Sequence, residues 1–344
     1  MRLTRENLIK VARDTASQRA RISRRVICIY LTGSVLGESP SLGGATDIDL
    51  VIIHDDEPLQ AREVIRVSDE VHLDIAHYSQ DLFRHPRHLR TDPWLGPFIY
   101  SKPLVLFDTQ HWFDFTQAAT GAQFFQPDYV VQRAAQLAQT ARQLWIDLSS
   151  NQVANHSLKI YELFNVIENA GNALVCLTGE GEPLTERRFL SQLPQRLQAL
   201  EQPDLTSDLM NLIIPDVTQL EAVWPEWLKN WEAAYTVASS QPNIPPRLNV
   251  CRFPYYQRAA TALWENSPSA ALWPMLISWS QAAGFLPEGA PAATGWQTAC
   301  EKLQLDEAHF SERLQAVDRY LDRVEETLDA WANANGVSSS TSLS

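Results

Sequence analysis

Cysteine is sparse in this chain, and so is any long uninterrupted apolar run. The four cysteines, Cys28, Cys176, Cys251 and Cys300, stand far apart and form no Cys-x-x-Cys pair. That spacing argues against a disulfide framework and a cysteine-ligated zinc site, and suits buried thiols in a reducing compartment. The most apolar stretch, residues 270–286, is broken by Pro274, Ser278, Ser280 and Gln281, short of the ~20 consecutive apolar residues that span a membrane. The opening residues, MRLTRENLIK, carry charge with no apolar run behind them, so no secretory signal is expected. The expected setting is the cytoplasm, with no membrane partner. Basic side chains are also in short supply: 28 Lys and Arg against 41 Asp and Glu give a net charge of −13. Non-specific binding of long nucleic acid needs a basic surface and is disfavoured on that ground. A small cationic partner is compatible with the balance.

What is present is a chain able to bury a core. It has 344 residues, 45% of them hydrophobic, which at ~100–200 residues per domain predicts about two or three domains. Residues 4–25 space Leu8, Val11, Ala12 and Ile22 among arginines, the pattern of a helix with a basic outer face. VICIYLTGS then reads as a strand opening into a tight turn, followed by a Ser/Gly/Pro-rich loop and a second strand, DIDLVIIH. A short helix is expected around residues 58–67, then strands VHLDIAHYS and KPLVLFD. From Pro127 onward the strand signals stop. Long helices are predicted over 129–148, 156–178, 216–239, 252–265, 269–283 and 307–333, with a Pro-rich link, QPNIPPR, near 241–247. The expected organisation is an α+β domain over 1–115, helical domains over 125–240 and 248–336, and a disordered Ser-rich tail at 337–344.

The chemistry is concentrated in LTGSVLGESPSLGGATDIDLVII. Alternate residues of a strand share a face, so Asp47 and Asp49 lie together while Ile48 and Leu50 turn to the core. Two carboxylates ~7 Å apart on one strand repel each other and suit hard divalent cations, which prefer oxygen ligands. Phosphoryl and nucleotidyl transfer commonly use two such ions ~3.5–4 Å apart. A third carboxylate on a neighbouring strand would complete the set. Asp74 has the right phase, with Leu73 and Ile75 pointing one way and His72, Asp74 and Ala76 the other; Asp69 and Glu70 are nearby alternatives. Gly33-Ser34 offers a place where backbone N–H groups and a hydroxyl can approach phosphate closely.

This ordered set resembles the signature of the DNA polymerase β-type nucleotidyltransferase superfamily: a strand ending in Gly-Ser, a loop, Asp-x-Asp on the next strand, and a later acidic residue on a third. The resemblance covers about the first 110 residues. With its helical remainder, the chain looks most like the aminoglycoside and other small-substrate nucleotidyltransferases. The resemblance implies a nucleotidyltransferase-fold mixed sheet flanked by helices and followed by helical domains. It implies an enzyme in which Asp47 and Asp49 hold Mg²⁺, or Mn²⁺, with two ions in all, Asp74 binds the second ion or helps deprotonate the acceptor hydroxyl, and Gly33 and Ser34 contact the phosphates of an NTP, ATP being favoured. An acceptor hydroxyl would attack the α-phosphorus and pyrophosphate would leave. A small-molecule acceptor is the leading expectation; a protein, a tRNA or RNA 3′ end, and a catalytically silent nucleotide-binding relative are the alternatives. Minimal antitoxin-type members often carry Arg soon after Gly-Ser, where this chain has Val35-Leu36.

A second pattern lies on the helix expected at 156–178. Lys159, Glu162, Asn165, Asn169 and Asn172 fall within a band of ~140°. Asn is a poor helix former, so three in register predict polar partners. On this reading Lys159 reaches a phosphate, while Glu162, Asn165 and Asn169 face the base or the acceptor, in a cleft between the catalytic and helical parts. The competing reading is an ordinary solvated face. The basic stretch Arg84, His85, Arg87, His88, Arg90 reads equally well as a solvated loop or a triphosphate contact. The tryptophans of WPEWLKNW are expected to pack helices together.

Overall fold

A β-branched run bounded by turn residues becomes a strand wherever a neighbour can pair with it, and five do so here. They are β1 (Val26–Thr32), β2 (Thr46–His54), β3 (Arg62–Arg66), β4 (Val71–Ser79) and β5 (Leu104–Asp108). A computed structural model describes residues 3–109, 111–150, 152–179, 182–213 and 220–337. It shows an α+β protein with one mixed sheet in the order β3-β4-β2-β1-β5 and, among the described residues, thirteen α-helices. The two central strands, β2 and β4, run parallel; every other neighbouring pair is antiparallel. The chain divides into two compact units, Met1–Gln126 and Pro127–Ser344. No described helix is long and apolar enough to cross a membrane. Residues 338–344 of the expected Ser-rich tail lie outside the described residues, as do 214–219 at the start of the helix expected from Asp216.

In the first unit, α1 (Arg5–Ile22) starts at Thr4, whose hydroxyl accepts a hydrogen bond from the Asn7 N–H, a standard N-cap. Leu8, Ala12 and Ala16 recur every four residues and are fully buried, while Arg5, Lys10, Arg13 and Arg21 stay exposed. That apolar stripe packs against Ile29, Leu31, Ile48, Leu50, Ile52, Leu73 and Ile75, one face of the sheet. The opposite face carries Cys28, Tyr30, Val51 and Ile53. It packs against Phe83 and the short helices α2 (Pro86–Thr91), α3 (Leu95–Tyr100) and α4 (Trp112–Gly121), through Leu89, Ile99 and Phe113. Both faces are therefore covered, which explains the apolar character of β1 and β2. The helix expected around 58–67 is absent; β3 stands there instead. Arg62–Arg66 is REVIR, too short for a stable helix, and its β-branched centre pairs antiparallel with β4, Val64 opposite Asp74.

The second unit is helical: α5 (Pro127–Ser149), α6 (His156–Leu177), α7 (Phe189–Leu197), α8 (Pro203–Ile213), α9 (Trp224–Ser239), α10 (Phe253–Trp264), α11 (Pro268–Gly284), α12 (Ala292–Leu303) and α13 (Glu307–Ala334). The most apolar stretch of the sequence is α11, buried on all sides from Ala270 to Ala283, as expected of a central core helix. Arg142 on α5 ties down α13 through Asp318, Asp322 and Glu325 at 2.6–2.9 Å. Trp224, Trp227 and Trp231 are buried; Trp224 stacks on Trp264 and the Trp231 Nε1–H donates to Ser278 Oγ. The Pro-rich link runs between α9 and α10, where the Tyr235 hydroxyl donates to the Arg247 and Asn249 carbonyls.

Candidate metal and nucleotide site

β1 ends at Thr32, and Gly33 follows with φ 77° and ψ −160°, a conformation that residues with side chains rarely adopt. The chain turns there into a single 3-10 turn, Ser34–Leu36. The space a side chain would need is taken by Asp49. A methyl on Gly33 would collide with Asp49 Oδ2, with Cγ at 3.0 Å and Cβ at 3.3 Å. The cause is register, since Thr32 pairs with Asp49 across β1 and β2. The loop that follows folds back over the start of β2: Ser34 Oγ donates to the Pro40 carbonyl at 3.2 Å, and Thr46 Oγ1 donates to the same carbonyl at 2.6 Å.

The parallel register of β2 and β4 sets Asp47 opposite His72 and Asp49 opposite Asp74. Neighbouring strands lie ~4.8 Å apart, so these four side chains occupy the corners of a parallelogram on one face of the sheet. Ile48, Leu50, Leu73 and Ile75 go to the α1 side. Asp47, His72 and Asp74 are buried and Asp49 is partly exposed. One ligand atom from each of Asp47, His72 and Asp74 lies within 4.8 Å of the other two, a convergence of potential metal ligands. Two carboxylates at that separation repel by about 3 kcal/mol at an effective dielectric near 20.

Part of this charge is offset by Arg62 on edge strand β3. Its Nε donates to Asp74 Oδ1 at 2.5 Å and its Nη2 to Oδ2 at 2.7 Å, a bidentate fork. Asp74 is only 2% exposed, whereas Arg62 is 47% exposed, so the arginine reaches in from the rim. A carboxylate offers about four lone-pair sites, so Asp74 can keep Arg62 and still ligate. Asp47, His72 and Asp74 together could hold a metal ion, and Asp49 shares their sheet face by register.

The alternatives for the third carboxylate sit elsewhere. Asp69 is exposed and pairs with Arg66, and Glu70 accepts from Ser68, both at the β3–β4 turn. His77 lies on the opposite face, bonded to His54 at 2.9 Å and to Glu63 at 2.7 Å, with Glu63 also held by Arg19. Burial, reinforced by His77, pushes the His54 imidazole down from its ordinary value. Of the basic stretch, Arg84 pairs with Asp81, and Arg90 donates to the Ala119 and Thr120 carbonyls at the end of α4. Arg90 thereby supplies the C-terminal capping that short helix needs.

Lys159, Glu162, Asn165 and Asn169 lie on α6 of the second unit, all partly buried. Their bonds include local ones: Asn165 Nδ2 donates to Glu162 Oε2 at 3.0 Å and Asn169 Nδ2 to the Asn165 carbonyl at 2.8 Å. Asn172 is fully buried and makes a two-way clamp with the Leu184 backbone, donating at 2.8 Å and accepting at 2.7 Å. Deeper on α6, Glu168 is buried beside Glu186 and Arg247, and desolvation pushes its carboxyl up to about 7. Glu186 is itself held by Arg252 Nη2 at 2.7 Å and the Tyr256 hydroxyl at 3.1 Å.

Two residues beside the expected carboxylates were not counted among the ligands from sequence. His72 carried a usable signal, because it shares the phase of Asp74 on β4. Arg62 did not, because its segment read as a helix. No model of a known protein family matches this chain, and no curated protein matches it in sequence.

Proposed function

We propose that the first unit is the catalytic domain of a nucleotidyltransferase of the DNA polymerase β type. It would transfer NMP from an NTP, ATP by preference, to an acceptor hydroxyl on a small molecule and release pyrophosphate. The observation that carries this reading is the register that sets Asp47, Asp49 and Asp74 on one sheet face while Gly33 lies against Asp49. In this reading Asp47, Asp49 and Asp74 hold Mg²⁺, and the backbone N–H groups and hydroxyl of Gly33-Ser34 hold the β and γ phosphates. Bound Mg²⁺ neutralises phosphate charge and favours ionisation of the acceptor hydroxyl. Asp49, against the glycine turn, ties the phosphate end to the carboxylate end, so both respond to one backbone position. Arg62 orients Asp74 and limits the repulsion from Asp47 before cations arrive.

The test is pyrophosphate release from each of the four NTPs with Mg²⁺, against a panel of cationic small molecules, tRNA and protein acceptors. The Asp47→Asn/Asp49→Asn protein is expected to stay folded and lose release entirely. Full activity in that variant ends the metal assignment. A second reading, a chain that binds nucleotide without turnover, draws on the bidentate Arg62 pair, which occupies both oxygens of Asp74. It predicts ATP binding by calorimetry with no pyrophosphate under any acceptor.

A further inference from the structure

The cluster contains a ligand that a purely oxygen-based Mg²⁺ site has no use for. His72 stands opposite Asp47 in the β2–β4 register and two residues before Asp74 on the same face. The residue is 1% exposed, and one of its ring nitrogens lies within 4.8 Å of an oxygen from each of the two aspartates. Two anionic oxygens and one imidazole nitrogen are a donor set of a different kind from Asp47 with Asp49. Mg²⁺ holds its waters tightly and takes oxygen ligands at near-ideal octahedral geometry. Imidazole instead suits first-row transition ions, whose affinity for mixed nitrogen and oxygen sites rises along the series from Mn²⁺ to Cu²⁺. Three protein ligands also leave coordination positions open, as catalytic metal sites do.

We propose that the position bounded by Asp47, His72 and Asp74 is a mixed oxygen–nitrogen site that binds a first-row transition dication in preference to Mg²⁺. It builds on the reading of this face as a cation site and divides it in two. The Asp47–Asp49 side, beside Gly33, keeps the all-oxygen character suited to a Mg²⁺ carried in with the triphosphate. The Asp47–His72–Asp74 side holds the second ion, with Asp47 common to both. The imidazole thus sets metal identity at one position and leaves the other unaltered. Arg62 remains on Asp74 through lone pairs the ion does not use.

The competing account of His72 is an imidazole that only hydrogen-bonds to the carboxylates, and spectroscopy separates the two. Mn²⁺ is the stringent probe because it is the weakest binder of the series. Full-length protein is titrated with Mn²⁺ alone, bound ion is read by loss of the free Mn²⁺ paramagnetic resonance signal, and nitrogen ligation by pulsed ¹⁴N modulation. The expected result is one tightly held Mn²⁺ with ¹⁴N coupling, displaced by Mg²⁺ only at about tenfold excess or more. His72→Gln should abolish the coupling and bring Mn²⁺ and Mg²⁺ affinities to within a few-fold. The wild-type coupling decides the matter even where the variant folds poorly. Bound Mn²⁺ without ¹⁴N coupling, displacement by equimolar Mg²⁺, or no binding up to about 1 mM overturns the inference. Pyrophosphate release with Mg²⁺ is scored separately. Release without nitrogen coupling removes this inference and leaves the transferase reading standing; coupling without release under any metal does the reverse.

Discussion

Placing a methyl group on Gly33 perturbs the one point where the phosphate turn and a carboxylate meet. Two costs are expected, and they can be told apart. The backbone at φ 77°, ψ −160° is almost reserved for glycine, and holding alanine there costs about 1–3 kcal/mol. The methyl also enters the space of Asp49 Oδ2, with Cγ only 3.0 Å away, and forced overpacking adds about 1–3 kcal/mol. Together they predict a loss of about 2–6 kcal/mol from the first unit. Tryptophan fluorescence is a poor readout, because only Trp94 and Trp112 of the eleven tryptophans lie in that unit. Hydrogen exchange on peptides from β1 and β2 reports its opening free energy directly. The decisive step is a double-mutant cycle with Asp49→Ala, which removes Oδ2 and Cγ and leaves only the 3.3 Å Cβ contact. Gly33→Ala should cost about 1–3 kcal/mol less in that background, the part due to collision. Strict additivity would show that Asp49 is not what excludes a side chain at Gly33. The close packing of turn against carboxylate would then be wrong, and with it the coupling assigned to them.

Three further outcomes follow from buried polar groups. Glu168 keeps its proton up to about pH 7 in the folded state against 4.5 when unfolded, chiefly through desolvation beside Glu186, whose N–H donates to it, and Arg247. The native state therefore binds the extra proton, and stability falls by about 3 kcal/mol as pH rises from 4.5 to 7, then levels off; Glu168→Gln should flatten that slope in chemical denaturation, and an unchanged slope refutes the assignment. Arg62→Ala removes the partner of a carboxylate that is 2% exposed. Breaking a buried pair costs about 3–5 kcal/mol, discounted here to about 1–3 because the arginine is half-exposed. Mn²⁺ should restore much of the lost protection in β3 and β4 exchange, and no gain from the ion would show that it does not take over the arginine's role. Asn172→Leu deletes both bonds to the Leu184 backbone and leaves a buried N–H and carbonyl unmet, a loss of about 2–4 kcal/mol by urea titration; a neutral result would make the clamp dispensable.

The strands that carry the candidate site were legible because period-two alternation survives inside an apolar setting. DIDLVII and VHLDIA announce their faces from sequence alone, and the structure sends Ile48, Leu50, Leu73 and Ile75 to the α1 side as that alternation requires. Register was not legible. That Asp49 meets Asp74 and Asp47 meets His72 depends on how β2 and β4 slide along each other, a non-local choice set by core packing. β3 was missed because an edge strand with arginines at both ends and a glutamate inside looks too polar to pair, although charge on an edge is what keeps it from pairing further. Arg62 disappeared with it. The asparagines of α6 are a different case, because a stripe of Asn has the same period whether it faces a ligand or bonds to its own helix. The bonds from Asn165 to Glu162 and from Asn169 to the Asn165 carbonyl are of the second kind. Carboxylates set into an apolar strand break the pattern around them, and such a break persists only where another interaction compensates it. Amides on a helix face break no pattern, because the backbone next to them can already satisfy them. Composition against local expectation therefore located the acidic residues, and geometry was needed to set the histidine and the arginine beside them.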